Sequence, residues 1–161
     1  IIDEAWRFLC EGSNPIAANF IEQGFRTARK HNGGFGVLTQ YLLDTEKTIQ
    51  GQAIAASSDI KIIMRQGNFN DYLQKNPKRF NRLQQEMISN FSDVQSSGFS
   101  NLMIEAGGHC SFHRYFADPF TRILFSSSGE EFSAIEKRMR SGMNLMDAVK
   151  EVSLEFYGEA L

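Results

Sequence analysis

Cysteine, proline, histidine and tryptophan are all scarce in this 161-residue chain, at two, three, three and one. Cys10 and Cys110 make no disulfide framework, and a reducing compartment is the simpler reading. No apolar run approaches the roughly 20 residues needed to cross a bilayer as a helix. Neither sign of charge is in excess: 17 Lys and Arg face 19 Asp and Glu, a net of -2. With a pI near 5.9 and a mean hydropathy of -0.32, the chain lacks the basic bias of a surface built throughout for nucleic acid. Internal repeats and low-complexity stretches are missing too, which argues against collagen-like or disordered chains. What is present is 42% hydrophobic and 22% charged residues, the balance of an ordinary globular domain. The length suits one domain with its own core.

The chain opens Ile1-Ile2-Asp3-Glu4, without an initiator Met, signal peptide or transit segment. A domain rarely starts inside a strand. The expectation is a piece of a longer protein, cut just before an active-site motif, with residues 1–161 forming a single domain fragment.

Periodicity predicts alternating strands and helices. Ile1 and Ile2 read as the end of a buried strand, with Asp3 and Glu4 at its C-terminal tip. Ser13 or Asn14 caps a helix that has Pro15 at its first position. Ile16, Phe20, Ile21, Phe25 and Ala28 recur at helical spacing, and Asn32-Gly33-Gly34 stops the run. Residues 35–39 form a short apolar strand ending at Gln40. Asp44 caps a second helix bearing Ile49, Ala53, Ile54 and Ala56. Residues 60–64 form another strand, ending at Arg65 and Gln66. Strands separated by helices in this way imply crossover units and a parallel sheet. Beyond it, residues 70–75 make a short helix stopped before Pro77. Phe80, Leu83, Met87, Ile88 and Phe91 mark a longer amphipathic one. Residues 99–106, 111–117 and 121–126 read as an antiparallel meander with turns at Gly107-Gly108 and Asp118-Pro119. Helices near 130–140 and 145–156, separated by Gly142, close the chain.

Two apolar residues followed by Asp-Glu at a strand tip is the pattern of a Walker B motif. The Asp holds the magnesium of a bound nucleotide, usually through water, and the Glu polarises the attacking water. Open parallel sheets bind ligands at this edge. Taken alone the pair is a weak signal, since carboxylates also favour turns and helix N-termini. Gln40 ends the next strand, where a polar side chain senses a γ-phosphate or places water. Arg26, Arg29 and Lys30 lie at the end of the intervening helix. They read either as cations soothing a helix C-terminus or as an arginine finger, whose planar fork suits phosphate.

At IIDEAWRFL, FRTARKHNGGFGVLTQ and SSDIKIIMRQ the sequence resembles the TraC-like ATPases of type IV secretion and bacterial conjugation. These belong to the HerA–FtsK class of P-loop motor ATPases. LQQEMISNF, HRYFADPFTRILFSS and SGMNLMDAV extend the likeness over nearly the whole chain, in order. The resemblance implies the C-terminal part of a three-layer α/β P-loop NTPase domain, with ATP and Mg2+ as cofactors. It gives Asp3 as the magnesium carboxylate, Glu4 as catalytic base or water-polarising residue, and Gln40 as γ-phosphate sensor. Arg29 falls at the trans-acting arginine finger, with Arg26 as second candidate, and Gln66 faces the nucleotide edge. The implied function is a motor ATPase subunit energising channel or pilus assembly and substrate transfer. It would act in a ring oligomer, a hexamer, on the cytoplasmic side of the bacterial inner membrane, beside other secretion-apparatus components. The alternatives are a DNA-translocating coupling protein or helicase-like motor of the same class, and a non-enzymatic interaction module. The sequence departs from the family in lacking a Walker A motif, G-x-x-x-x-G-K-(S/T); Asn32-Gly33-Gly34-Phe35-Gly36 has no Lys-Ser/Thr. This chain by itself is therefore expected to bind ATP weakly and to be inactive.

Other constellations read as structural. His109, Cys110 and His113 have ligand chemistry, but strand alternation sends His109 and Cys110 to opposite faces. Cys10 has no histidine nearby in sequence. Lys75, Lys78, Arg79 and Arg82, and again Lys137, Arg138 and Arg140, offer phosphate contacts for DNA. Glu86, Glu130, Glu131 and Glu136 favour solvated, charge-balanced helix faces instead. Trp6 reads as packing.

Overall fold

The computed structural model describes residues 1–10 and 14–158; the side chains of Arg29 and Gln95 lie outside it. The chain divides into two compact units, Ile1–Arg114 and Tyr115–Leu161. No described helix is long and apolar enough to cross a membrane.

In the first unit, α1 (Pro15–Thr27) starts where expected. Asn14 Oδ1 accepts the Ile16 N–H at 2.9 Å and Pro15 takes the first turn. The Ser13 alternative lies outside the described residues. The helix tightens into a 3-10 turn over Ala28–His31, and Asn32 then adopts the left-handed region at φ 51. Its buried face carries Ala18 and Ile21, with Phe25 packed beside them, while Ile16 and Phe20 are exposed. The helical stripe read from the sequence therefore splits. Ala5, Leu9, Ala18, Ile21 and Ile54 form one core cluster, on which Ile2, Phe35 and Val37 pack.

A 3-10 turn over Leu42–Glu46 precedes α2 (Ile49–Ser57). Thr48, not Asp44, caps α2, accepting the Gly51 N–H at 3.1 Å. Asp44 instead serves the preceding turn. A Cβ on Gly51 would lie 2.6 Å from the Thr45 carbonyl oxygen, so only glycine lets α2 sit this close to that turn.

The sheet is antiparallel, which corrects the expected parallel one. β1 (Ile60–Met64) pairs with β2 (Ser100–Ala106) in the register Ile60 to Ala106 through Met64 to Leu102, and β3 (His109–Tyr115) lies on the far side of β2. Parallel pairing among the described residues is one bridge, Ile2 to Val37. The aromatic cluster explains why β1 takes β2 as its partner. Ile63 and Met103, opposite each other, are buried with Phe69, Tyr72, Phe80, Ile88 and Phe91. Two of these aromatics come from or flank α3 (Phe69–Lys75), and Phe80, Ile88 and Phe91 from α4 (Arg82–Ser89) and its ends. The short α5 (Val94–Ser97) leads into β2. On the opposite face Ile60, Ile62 and Met64 are exposed rather than buried.

The second unit is helical. Residues 121–126, expected as a strand, fall mostly within α6 (Pro119–Leu124). Asp118 Oδ1 accepts the Thr121 N–H at 3.0 Å and Pro119 stands at the first position, so a dipeptide read as a turn is a helix start. The bond to Thr121 holds the Asp118 carboxyl below its usual range. α7 (Gly129–Arg140) and α8 (Leu145–Tyr157) follow, with Gly142 at φ 99 between them. Ile123, Ile135, Ala148, Val149 and Val152 are the core of this unit. Glu131 is buried there because the Tyr157 hydroxyl donates to it, and Arg122 lies over the Tyr157 ring at 4.3 Å.

Candidate functional site

The first ten residues build the site. Ile2 donates to the Gly36 carbonyl at 2.8 Å and accepts from Leu38 at 3.0 Å, which sets the two chain segments side by side. The Ile2 strand then ends at once. Glu4 adopts φ 53, ψ 35, a left-handed conformation that costs a non-glycine residue about 1–2 kcal/mol. It turns the chain into the 3-10 helix Ala5–Arg7, and Ala5 and Leu9 become fully buried. Burying one leucine is worth about 2–3 kcal/mol, enough to offset the strained turn. Ala5 N–H closes the arrangement on the Leu38 carbonyl at 3.0 Å.

This backbone brings two of the predicted site residues together. Gln40 Nε2 donates to Glu4 Oε1 at 3.4 Å, and Arg7 Nε meets Glu4 Oε2 at 3.1 Å. Asp3 is exposed at the same tip, its Oδ1 accepting the Glu4 N–H at 2.8 Å. The Glu4 side chain keeps 41% of its exposure, so its carboxylate remains reachable from outside while both oxygens are oriented.

Gln66 and Arg26 make other contacts. Gln66 lies two residues beyond β1 and accepts the Leu42 N–H on Oε1 at 2.9 Å. Arg26 pairs with Glu22 at 2.7 Å, one turn back on its own helix. Arg29 has its backbone in the Ala28–His31 turn, and its side chain lies outside the described residues. His113 Nε2 meets Ser111 Oγ at 2.8 Å, and no metal-holding group of His, Cys, Asp or Glu occurs among the described residues. Several cations in the two basic stretches are in ion pairs. Arg79 binds Glu105, Arg82 binds Glu86, Arg138 binds Glu151 and Glu155, and Arg140 binds Glu136.

Asp44, read from the sequence as the cap of the second helix, has a different task. It is 4% exposed, its Oδ2 accepts the Tyr41 N–H at 3.1 Å, and its Oδ1 takes Lys47 Nζ at 2.8 Å. The signal was there: an acid three residues after Tyr41 reaches back to an amide, as at a helix N-terminus.

The TraG P-loop domain family matches residues 1–155. The chain belongs to that family. It is also 34% identical over 158 residues to Protein TraC of Escherichia coli (strain K12), a match covering 95% of this chain and 18% of that protein. The chain thus spans under a fifth of its relative. No solved structure matches it. The tip presents two carboxylates, Asp3 and Glu4, with a glutamine from the neighbouring segment on the Glu4 carboxylate, an arrangement that can meet a hydrated cation and orient water. Mg2+ takes hard oxygen ligands and keeps several waters, and the exposed Asp3 carboxylate fits that demand.

Proposed function

We propose that this chain carries the hydrolytic edge of a motor ATPase of type IV secretion and conjugation. The observation that carries the reading is the Glu4–Gln40 contact at 3.4 Å across the Ile2–Val37 bridge. Asp3 would hold Mg2+ of bound ATP through water, the ion supplying charge neutralisation at the phosphates. Glu4 accepts a proton from, or polarises, the attacking water on the carboxylate that Arg7 and Gln40 orient. Gln40, with its amide at the same point, senses the γ-phosphate. Arg29, or Arg26 once released from Glu22, reaches the site of the next subunit in a hexameric ring. The ring works on the cytoplasmic side of the inner membrane with other secretion-apparatus components.

The test is ATP hydrolysis by the intact protein carrying this chain, wild type against Glu4→Gln. The variant should retain ATP binding and lose about 10²–10⁴-fold in turnover, the usual contribution of a general base. Turnover at the wild-type rate would remove Glu4 from the chemistry and bring the interaction-module reading forward.

A further inference from the structure

We propose that Gln66 and Asp44 are positioning residues that hold Gln40 against Glu4, an inference that rests on the roles proposed above for those two residues. The segment after Gln40 is tied down at two consecutive amides. Tyr41 N–H donates to Asp44 Oδ2 at 3.1 Å, and Leu42 N–H donates to Gln66 Oε1 at 2.9 Å. The two acceptors come from different parts of the unit. Asp44 belongs to the same 3-10 turn, whereas Gln66 reaches back 24 residues from the end of β1.

Gln40 sits at a seam, which is why the clamp matters. Val37, before it, packs on the cluster of Ala5 and Leu9. Leu42 and Leu43, after it, pack on the aromatic cluster under β1. The Gln40 side chain is itself exposed, and its bond to Glu4 is long at 3.4 Å. Its placement therefore depends on its backbone, and small displacements of catalytic groups carry large kinetic penalties. Gln66 makes its short bond through the acceptor oxygen; its nitrogen makes longer contacts, to the Met64 and Arg65 carbonyls at 3.4 Å each. What the clamp needs at position 66 is an acceptor oxygen. What a phosphate contact would need there is the amide donor.

That difference makes the proposal testable by MgATP hydrolysis and binding of a non-hydrolysable ATP analogue in the intact protein. Gln66→Ala should lower kcat about 10- to 100-fold, as loss of supporting partners does, with analogue affinity unchanged. Gln66→Glu keeps the acceptor and should recover most of that loss. Adding Gln66→Ala to Gln40→Ala should cost less than about twofold more, because the clamp then has nothing to position. Should alanine disturb folding, Gln66→Met fills similar space without an acceptor and carries the same expectation. The proposal is overturned if Gln66→Glu is the worst variant with a raised KM, which would put the amide on the phosphates. It is equally overturned if Gln66→Ala is as active as wild type, or if the Gln40 and Gln66 losses multiply. Glu4→Gln run alongside separates the two layers: loss of turnover there with full activity in Gln66→Ala defeats the clamp alone, whereas activity in Glu4→Gln defeats the underlying reading.

Discussion

Separating Arg79 from Glu105 should loosen the first unit by an amount that can be worked out beforehand. The guanidinium donates Nη1 to Oε1 at 2.9 Å and Nη2 to Oε2 at 2.5 Å, and lies over the Phe80 ring at 4.6 Å. The two side chains keep 32% and 20% of their exposure, so the pair is neither a surface bridge nor a buried one. Unit charges about 4 Å apart attract by about 4 kcal/mol at an effective dielectric constant near 20. Desolvation returns most of that, leaving a net coupling of about 1–2 kcal/mol, above the median exposed pair. Arg79→Ala also loses its stack on Phe80 and should cost about 2–3 kcal/mol. Glu105→Ala should cost about 2 kcal/mol, since it strands the guanidinium. The double variant should then cost about 1–2 kcal/mol less than the sum. Urea unfolding followed by the fluorescence of the single Trp6 and by far-UV circular dichroism measures all three. Additivity within about 0.3 kcal/mol would refute the reasoning. The same bond holds the Glu105 carboxyl below its usual range. A depressed folded-state value means the stabilisation is complete above the unfolded carboxyl's value and is lost as pH falls through the folded one. Glu105→Gln should therefore flatten the acid limb of the stability profile.

Two further outcomes are expected. Gly51→Ala should destabilise the chain by about 1–3 kcal/mol through the clash with the Thr45 carbonyl, despite alanine's better helix propensity; an unchanged urea midpoint would show that α2 shifts freely. Titrating the 161-residue chain with a fluorescent ATP analogue should give affinity weaker than micromolar, because the sequence has no G-x-x-x-x-G-K-(S/T) loop to grip the phosphates. Micromolar binding would mean that Asn32–Gly36 or another segment supplies that grip.

The start of α1 was legible because its cap and first turn are local chemistry: Asn14 places an acceptor oxygen beside the free amides of the next turn, ahead of Pro15. The cap of α2 was not, since Thr48 and not Asp44 holds it. The same logic misled at Asp118-Pro119, where a turn dipeptide and a helix start look alike until the following residues pack. Strand pairing was not legible. Residues 60–64 are apolar enough for either partner, and β1 chose β2 because Ile63 and Met103 together close the aromatic cluster. Asp3, Glu4 and Gln40 stood out as candidates by type and spacing, and the fold brings Glu4 and Gln40 into contact. The Gln66 amide could not be oriented, since nothing local says whether a strand-end glutamine faces a ligand or a backbone N–H 24 residues away.

The sequence by itself determined the family, the acid pair at the strand tip, the missing phosphate-gripping loop and most helix boundaries. These depend on residue identity and on neighbours within a turn. Only the tertiary structure decided that the sheet is antiparallel, that Ile60, Ile62 and Met64 stay exposed, and that Gln66 binds the Leu42 amide beyond Gln40. Those outcomes turn on contacts between residues far apart in the chain. There, burial of the aromatic cluster outweighs local preference and sets which backbone groups meet.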